Sequence, residues 1–302
     1  MELLNTNSIE DAIAVLFGKG LRIVSKRRVY GGDINESYCL SFSDGTAVFM
    51  KCNALKNLSF FEAEAKGLEA LSETGTIGVP KALGIGTDES EQISFLLMEY
   101  LESSSRAGGY WEIFGRELAA LHRADTSRFL PADKKLRFGF VADNYIGATP
   151  QLNTPKENWI TFFRECRLLP QMKMAEGYFD SKIRKQCTKL LEHLDSYLAE
   201  PDFPSLLHGD LWSGNALCGP DGKAWILDPA VYVGHYEAEL AMTELFGGYP
   251  APFYEAYQEI NRIDSGYRDR RDLYNLYHML NHLNLFGVSY LNSVQRILDR
   301  YV

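Results

Sequence analysis

The sequence predicts an α+β protein of two unequal lobes. Residues 1–101 form a small N-terminal lobe of β-strands with one helix, and residues 102–302 a larger, mainly helical C-terminal lobe. Three observations predict this. Strand-like runs separated by Gly- and Asp-containing turns crowd into the first hundred residues. From Trp111 onward, apolar residues recur at helical spacing. Late in the helical part, a block rich in Gly, Asp and Asn at 208–215 precedes a short hydrophobic run and a second Asp, Asp228.

The elements follow in order. Residues 8–18 read as a short amphipathic helix, with Ile9, Ala12, Ile13, Leu16 and Phe17 as its apolar positions. Leu21–Tyr30, Ser37–Phe42 and Thr46–Cys52 read as strands, and Gly31-Gly32-Asp33 and Ser43-Asp44-Gly45 as the hairpin turns between them. Leu58–Leu71 is helical, with Phe61, Ala65, Leu68 and Leu71 on one face. Val79–Gly86 and Gln92–Tyr100 supply two more strands, and the loose segment Glu102–Gly109 marks the lobe junction. Trp111, Phe114, Leu118 and Leu121 then repeat at helical spacing. Further helices are expected at Trp159–Met174, Asp180–Leu198, Ala238–Phe246, Phe253–Asn261 and Tyr267–Tyr290.

Composition bounds the function. The chain has 302 residues, 46% hydrophobic and 24% charged, enough for a large core. No window approaches the roughly 18 uninterrupted apolar residues of a membrane helix. The first residues lack the basic and apolar regions of a signal peptide, so the cytoplasm is the expected compartment. The five cysteines are scattered without a C-x-x-C pair, so reduced, buried thiols are expected and not a zinc site or a disulfide framework. A net charge of −9 with no long basic run argues against nucleic acid as a partner.

The polar block carries the chemistry. His208-Gly209-Asp210-Leu211-Trp212-Ser213-Gly214-Asn215 is followed by Ile226-Leu227-Asp228-Pro229. An Asp, an Asn five residues on and a second Asp thirteen further is the spacing of a phosphoryl-transfer loop in the protein-kinase-like architecture. A hydroxyl nucleophile needs a carboxylate to orient it and take its proton, which Asp210 fits. ATP phosphates travel with Mg²⁺, which needs hard oxygen ligands on rigid backbone, and Asn215 and Asp228 fit these. Gly31 and Gly32, with Asn35, form the expected phosphate lid, where backbone N–H groups approach phosphate oxygens without a Cβ clash. Lys51, ending the third strand, would reach the ATP phosphates. Glu64 is its expected acidic partner in preference to Glu62, because it borders the buried helix face; the unpaired Glu should be solvent-exposed. Glu99 and Leu101 lie in the expected adenine hinge. His122 is expected to support the catalytic loop. His278 and His282, four apart on a helix, have no evident third partner for a metal.

At this point the residues resemble the fructosamine kinase (ketosamine 3-kinase) family, a branch of the aminoglycoside-phosphotransferase-like kinases. The carrying segments are 206–215, 228–235, 237–249 and 274–287, with Gly31–Asn35 and Asp143–Asn153 upstream. The resemblance covers about residues 8–300. Trp212 in the catalytic loop, the Thr149-Pro150-Gln151 segment and Met242–Gly248 are its most specific marks. It implies ATP- and Mg²⁺-dependent phosphorylation of the 3-hydroxyl of a sugar joined to an amine as a ketosamine, small or protein-bound. The phosphorylated adduct then breaks down and frees the amine. By the same likeness Asp210 is the base, Asn215 and Asp228 hold metal, and Lys51 and Glu64 position ATP. Two departures stand out. Many family members carry Cys where this chain has Asp33, and the family usually has Asp where this chain has Glu239; the added methylene bears on a structural hydrogen bond to nearby loops.

A ketosamine presents a secondary amine cation beside a polar sugar, so its pocket needs an aromatic face or a carboxylate. Trp212, two residues after the base, and His235 and Glu237, seven and nine after Asp228, are the expected substrate residues. Two other readings stay open on the sequence: the same chemistry on another aminated alcohol such as an aminoglycoside or a choline-like substrate, and a nucleotide-binding module without turnover.

Overall fold

The computed structural model describes Thr6, residues 8–30 and residues 34–302. Helix α1 spans Ile9–Phe17, strands β1–β3 Ile23–Val29, Glu36–Phe42 and Ala47–Ala54, helix α2 Leu58–Ser72, and strands β4 and β5 Ala82–Asp88 and Ile93–Glu99. Next come helix α3, Tyr110–Arg123, strands β6 and β7, Asn144–Ile146 and Thr149–Gln151, and helices α4, α5 and α6, Trp159–Phe162, Leu169–Met174 and Ser181–Glu192. The short strands β8–β11 are Ser205–Leu207, Ala216–Cys218, Ala224–Ile226 and Tyr232–Gly234. Helices α7–α10 close the chain at Tyr236–Glu244, Ala251–Gln258, Tyr267–Phe286 and Leu291–Tyr301.

Two compact units result. Residues 1–108 and 217–228 form one, and residues 109–216 and 229–302 the other. The division runs at 108/109 instead of the sequence boundary at 101/102, and the segment ending at Asp228 returns to the first unit.

The first unit is an antiparallel sheet in the order β1-β2-β3-β5-β4. Ile9, Ala12 and Ile13 of α1 join Leu40, Phe42, Val48, Met50, Phe95 and Leu97 of the sheet in one apolar cluster. Each fully buried aliphatic or aromatic side chain there is worth roughly 1.5–3 kcal/mol. Ser8 caps α1 through Asp11 N–H (3.1 Å), and the buried Asp88 carboxylate takes Ile9 N–H at 3.1 Å. On α2 the expected face of Phe61, Ala65, Leu68 and Leu71 is buried.

The second unit departs from expectation in several places. The segment 159–174 is not one α-helix: residues Phe163–Leu168 take a π-helical turn between α4 and α5. That wider turn carries Arg167 fully inside, its guanidinium 3.9 Å from the Tyr232 ring and 4.6 Å from the Phe162 ring. α6 stops at Glu192 instead of continuing to Leu198. α9 ends at Phe286, four residues short of expectation, because Gly287 takes φ +88°. Finally, the β6–β7 hairpin and α10 were not anticipated, although Val294, Ile297 and Leu298 of α10 form a buried face at helical spacing.

Among the described residues no helix is long and apolar enough to cross a membrane. All five cysteines are free thiols, four buried and Cys218 half-buried.

Candidate active site

In the first unit, β3 brings Lys51 to a buried position, 6% exposed. Its ammonium lies 2.5 Å from Glu64 Oε1 on α2 and 2.5 Å from Asp228 Oδ1. Burial alone would lower the lysine pKa; the Asp228 and Glu64 carboxylates outweigh it, so the ammonium stays charged. Glu64, and not Glu62, is the partner. Glu62 is half-buried instead of solvent-exposed as expected for the unpaired acid. Asp228 is exposed and holds a positive φ of +57° in the turn before Pro229.

The lid and hinge residues fall as follows. Gly31, Gly32 and Asp33 lie outside the described residues. Asn35 Oδ1 accepts from Asn53 Nδ2 at 2.7 Å, tying the end of the first hairpin to β3. Glu99 closes β5, its N–H donating to Lys81 O (2.9 Å) and its Oε2 accepting from Lys81 N (3.3 Å). Leu101 follows, half-buried and outside the strand.

In the second unit, β8 pairs antiparallel with β11 and delivers the chain into the loop 208–215. Gly209 has φ +85°, and a Cβ there would sit 2.1 Å from Ala230 O, so only glycine fits. The two N–H groups at the turn, His208 and Gly209, donate to Glu239 Oε2 (2.7 Å) and Oε1 (2.8 Å). One Glu239 carboxylate thus reaches both. His122 Nε2 lies 3.3 Å from the same carboxylate and its Nδ1 is 2.8 Å from Tyr257 Oη, so His122 supports the loop through Glu239. Burial would raise the Glu239 pKa, but bonds and charge from His122 and His208 hold it below the ordinary value.

The loop presents its functional groups from this brace. Asp210 is partly exposed, at 23% of its side chain. Asn215 is buried, and its Nδ2 donates to Asp210 O (2.8 Å) and Oδ2 (3.3 Å), which leaves its Oδ1 as an acceptor for other partners. Trp212 is 37% exposed, folded over Gly214, where a Cβ would come within 2.2 Å of the indole. Its ring meets Phe246 edge-on at 6.0 Å, and Phe246 packs on His282 at 5.0 Å. Two residues after Asp210 the loop thus carries an indole that begins an aromatic row.

His235 and Glu237 are a correction. His235 is 3% exposed and Glu237 fully buried. His235 Nδ1 accepts from Glu237 N (3.2 Å) and caps α7, while Glu237 takes Arg270 in a bidentate pair at 2.7 and 2.8 Å. Burial, then the Arg270 charge, pushes the His235 pKa down to about 3. Both residues brace α7 against α9; neither is presented to a ligand. His278 and His282 also part ways: His278 turns toward Asp210, its Nδ1 4.0 Å from Oδ1, while His282 joins the aromatic row.

Each unit presents one hard oxygen donor of the type magnesium takes, Asp228 in the first and Asn215 in the second. Among the described residues no three His, Cys, Asp or Glu side chains cluster as a metal cage. A nucleotide-bound Mg²⁺ needs no cage, since phosphates and water supply most of its oxygens. The hard oxygens of Asn215 Oδ1 and Asp228 are the type required, and the amide orientation set by Asp210 leaves Oδ1 available.

Comparison with known proteins gives the family. The model for "Fructosamine kinase" matches residues 5–302. A protein of Synechocystis sp. named probable ketoamine kinase is 41% identical over 298 residues, 97% of this chain and 95% of the relative. The chloroplastic protein-ribulosamine 3-kinase of Arabidopsis thaliana is 40% identical over 291 residues, 94% of this chain and 85% of the relative. The crystal structure of a provisionally named fructosamine-3-kinase from Haemophilus somnus 129PT aligns with a TM-score of 0.84 at 30% identity, covering 97% of this chain and 96% of that one. A macrolide 2'-phosphotransferase shares the fold alone, with a TM-score of 0.62 at 16% identity. The protein is accordingly an ATP-dependent phosphotransferase with an alcohol acceptor, and the chain belongs to the fructosamine kinase family.

Proposed function

We propose that the protein phosphorylates the 3-hydroxyl of a ketosamine, a fructosamine- or ribulosamine-type adduct of a sugar and an amine. The observation that carries this reading is the loop of the second unit: a partly exposed Asp210, its turn held by Glu239 and its carboxylate met by Asn215, two residues before the exposed indole of Trp212. That pairing suits an acceptor carrying both a hydroxyl and a cation.

Asp210 orients the hydroxyl and receives its proton as the oxygen attacks the γ-phosphorus of ATP, and ADP leaves with the broken P–O bond. Lys51, held by Glu64, binds and aligns the phosphates. Gly31 and Gly32 would cover them, and the backbone at Glu99 and Leu101 would read adenine. Asn215 and Asp228 would hold Mg²⁺, which offsets charge on the phosphate oxygens when bound. Trp212 offers its face to the substrate amine. The free thiols and the absence of a crossing helix among the described residues fit work in a reducing, cytoplasmic setting.

The test is direct. The purified protein, ATP and Mg²⁺ are incubated with fructose-, ribulose- and erythrulose-amine adducts, and phosphate transfer to the sugar is followed by mass and by ³¹P NMR. Transfer to O3 is expected, and Asp210→Asn should slow it by roughly 10²–10⁴ while leaving ATP binding intact. Turnover of an aminoglycoside or a choline-like alcohol in preference to every ketosamine would overturn the substrate assignment. Near-normal kcat in the Asn variant would overturn the role of Asp210.

A further inference from the structure

The Asp210 carboxylate meets a different side chain at each oxygen. Asn215 Nδ2 lies 3.3 Å from Oδ2. Facing Oδ1, at 4.0 Å, is Nδ1 of His278, a residue 4% exposed whose Nδ1 is buried without a hydrogen-bond partner among the described residues. A buried, unpartnered imidazole nitrogen costs free energy, and native structures tolerate few. One that points at the oxygen of a reacting carboxylate calls for a reason beyond packing.

The chain around His278 is clamped. Tyr277 Oη donates to Gln151 Oε1 at 2.7 Å, and Gln151 Nε2 donates to Ala230 O at 3.0 Å and Asn144 Oδ1 at 2.7 Å. On the other side, His282 Nδ1 lies 2.8 Å from His278 O; a carbonyl only accepts, so the His282 proton is on Nδ1. The Tyr277 bond, one residue before His278, ties this part of α9 to the Gln151 network. Its own tautomer follows from its neighbour. A lone pair on Nδ1 aimed at a carboxylate oxygen is repelled, whereas an N–H there is attracted, so the proton belongs on Nδ1. Burial, with His282 and Arg167 nearby, pushes the His278 pKa down to about 3, so the ring is neutral and acts as a donor dipole.

We propose that His278 is a positioning residue for the base: its Nδ1–H engages Asp210 Oδ1 in the working complex and, with Asn215 on Oδ2, fixes the carboxylate plane against the acceptor hydroxyl. This rests on the reading of Asp210 as the base. A neutral donor suits the task. A cation at this position would hold the carboxylate proton-free and weaken it as a base, whereas an imidazole N–H orients it with little loss of basicity. The bond closes only on turnover geometry, which accounts for an orphan nitrogen at 4.0 Å in the resting protein.

The test uses side chains that separate the donor from the bulk. Leu at 278 keeps volume and removes the donor. Asn places Nδ2 close to where Nδ1 stood. His278→Leu should lower kcat about tenfold or more, with KM for ATP and for the ketosamine within about twofold, because only alignment of the base is lost. Its melting temperature should match or exceed the wild type, since a buried unpartnered nitrogen has been removed. His278→Asn should recover most of the lost kcat. A structural role predicts the reverse: a less stable Leu variant with kcat preserved. Wild-type kcat in His278→Leu, or a folded His278→Asn variant no faster than Leu, overturns the proposal. Nitrogen-15 NMR of the wild type provides a readout independent of turnover: Nδ1 protonated is expected, and the Nε2-protonated tautomer overturns the proposal even if no ketosamine proves to be a substrate. Failure of the wild type on every ketosamine would instead bear on the function itself.

Discussion

Glu239→Gln is the most informative single change outside the reacting groups. The wild-type carboxylate is 2% exposed and accepts the His208 and Gly209 N–H groups at 2.7 and 2.8 Å, with His122 Nε2 3.3 Å from Oε2. A glutamine has one oxygen. Turned to keep the site where His208 and His122 converge, it points its NH₂ at Gly209 N–H, donor against donor. That buried N–H is orphaned, at about 1–3 kcal/mol, and the surviving bond drops from charge-assisted to neutral, about 1 kcal/mol more. A loss near 3 kcal/mol corresponds to a fall in Tm of roughly 6–12 °C. Because the disturbed N–H groups carry the turn into Asp210, kcat should fall roughly tenfold as well. The pH dependence has a defined sign. The folded pKa of Glu239 lies below the 4.5 of a free Glu, so its stabilisation is complete above pH 4.5 and fades as pH falls through the depressed folded value. Calorimetric scans at neutral and acidic pH on both proteins, with kcat beside them, check this. The reasoning fails if the variant melts within about 2 °C of wild type at neutral pH, or if the gap does not narrow below pH 4.5. Glu239→Asp, which keeps the charge on a shorter side chain, should lie between the two.

Three further outcomes are expected. Lys51→Met should raise KM for ATP and lower kcat at least tenfold; Glu64→Gln should give a weaker version and Glu62→Gln none, as read from steady-state kinetics. Asp228→Asn, chosen because Asn tolerates the +57° φ, should abolish turnover with little rescue by added Mg²⁺, whereas Asn215→Ala should be milder and partly rescued; a silent Asp228 variant would place the metal elsewhere. Trp212→Ala should raise KM for the ketosamine roughly 2- to 30-fold and leave KM for ATP alone, from an aromatic–cation contact of about 0.5–2 kcal/mol; an unchanged sugar KM returns the indole to packing.

What was legible in the sequence was local. The 208–215 block sits within one loop, so its spacing is visible without a fold. Phe61, Ala65 and Leu68 set the buried face of α2, and that alone chose Glu64 over Glu62 for Lys51. What was not legible depended on chain reversals. Glu239 meets Gly209 thirty residues away in sequence, and nothing in either segment announces the contact. His235 and Glu237 misled because closeness to Asp228 along the chain was read as closeness in space; α7 begins there and turns both inward, where Arg270 on α9 satisfies Glu237. The pair His278 and His282 invites a metal reading by spacing, yet the two rings face different neighbours. The π-helical turn left no periodic signal, since a one-residue widening is too small to break the apolar pattern of 159–174.

The polar interior of the second unit is hard to justify by stability. Gln151, Asn144, Asn153 and Arg167 are all nine-tenths or more buried, and they bond chiefly to one another and to the backbone. Satisfied hydrogen bonds of this kind net about 0.5–1.5 kcal/mol each, and apolar replacements of equal volume often do as well. Apolar packing, however, is permissive of small shifts, whereas a donor–acceptor lattice is directional. The lattice here holds two things: the residues leading into β11, through Ala230 O and Val231 O, and α9 through Tyr277. Ala230 in turn donates to His208 O at 2.8 Å, and α9 carries His278. The first route ends on the turn two residues before Asp210, the second on the imidazole that faces it. A partly exposed carboxylate on a glycine-bearing loop would by itself be mobile; the Ala230 bond holds the turn that carries it, and α9 sets His278 in place 4.0 Å from its Oδ1. Burying amides and a guanidinium is therefore best understood as a constraint on where one carboxylate sits, set by a reaction in which an error of about 1 Å costs roughly a hundredfold in rate.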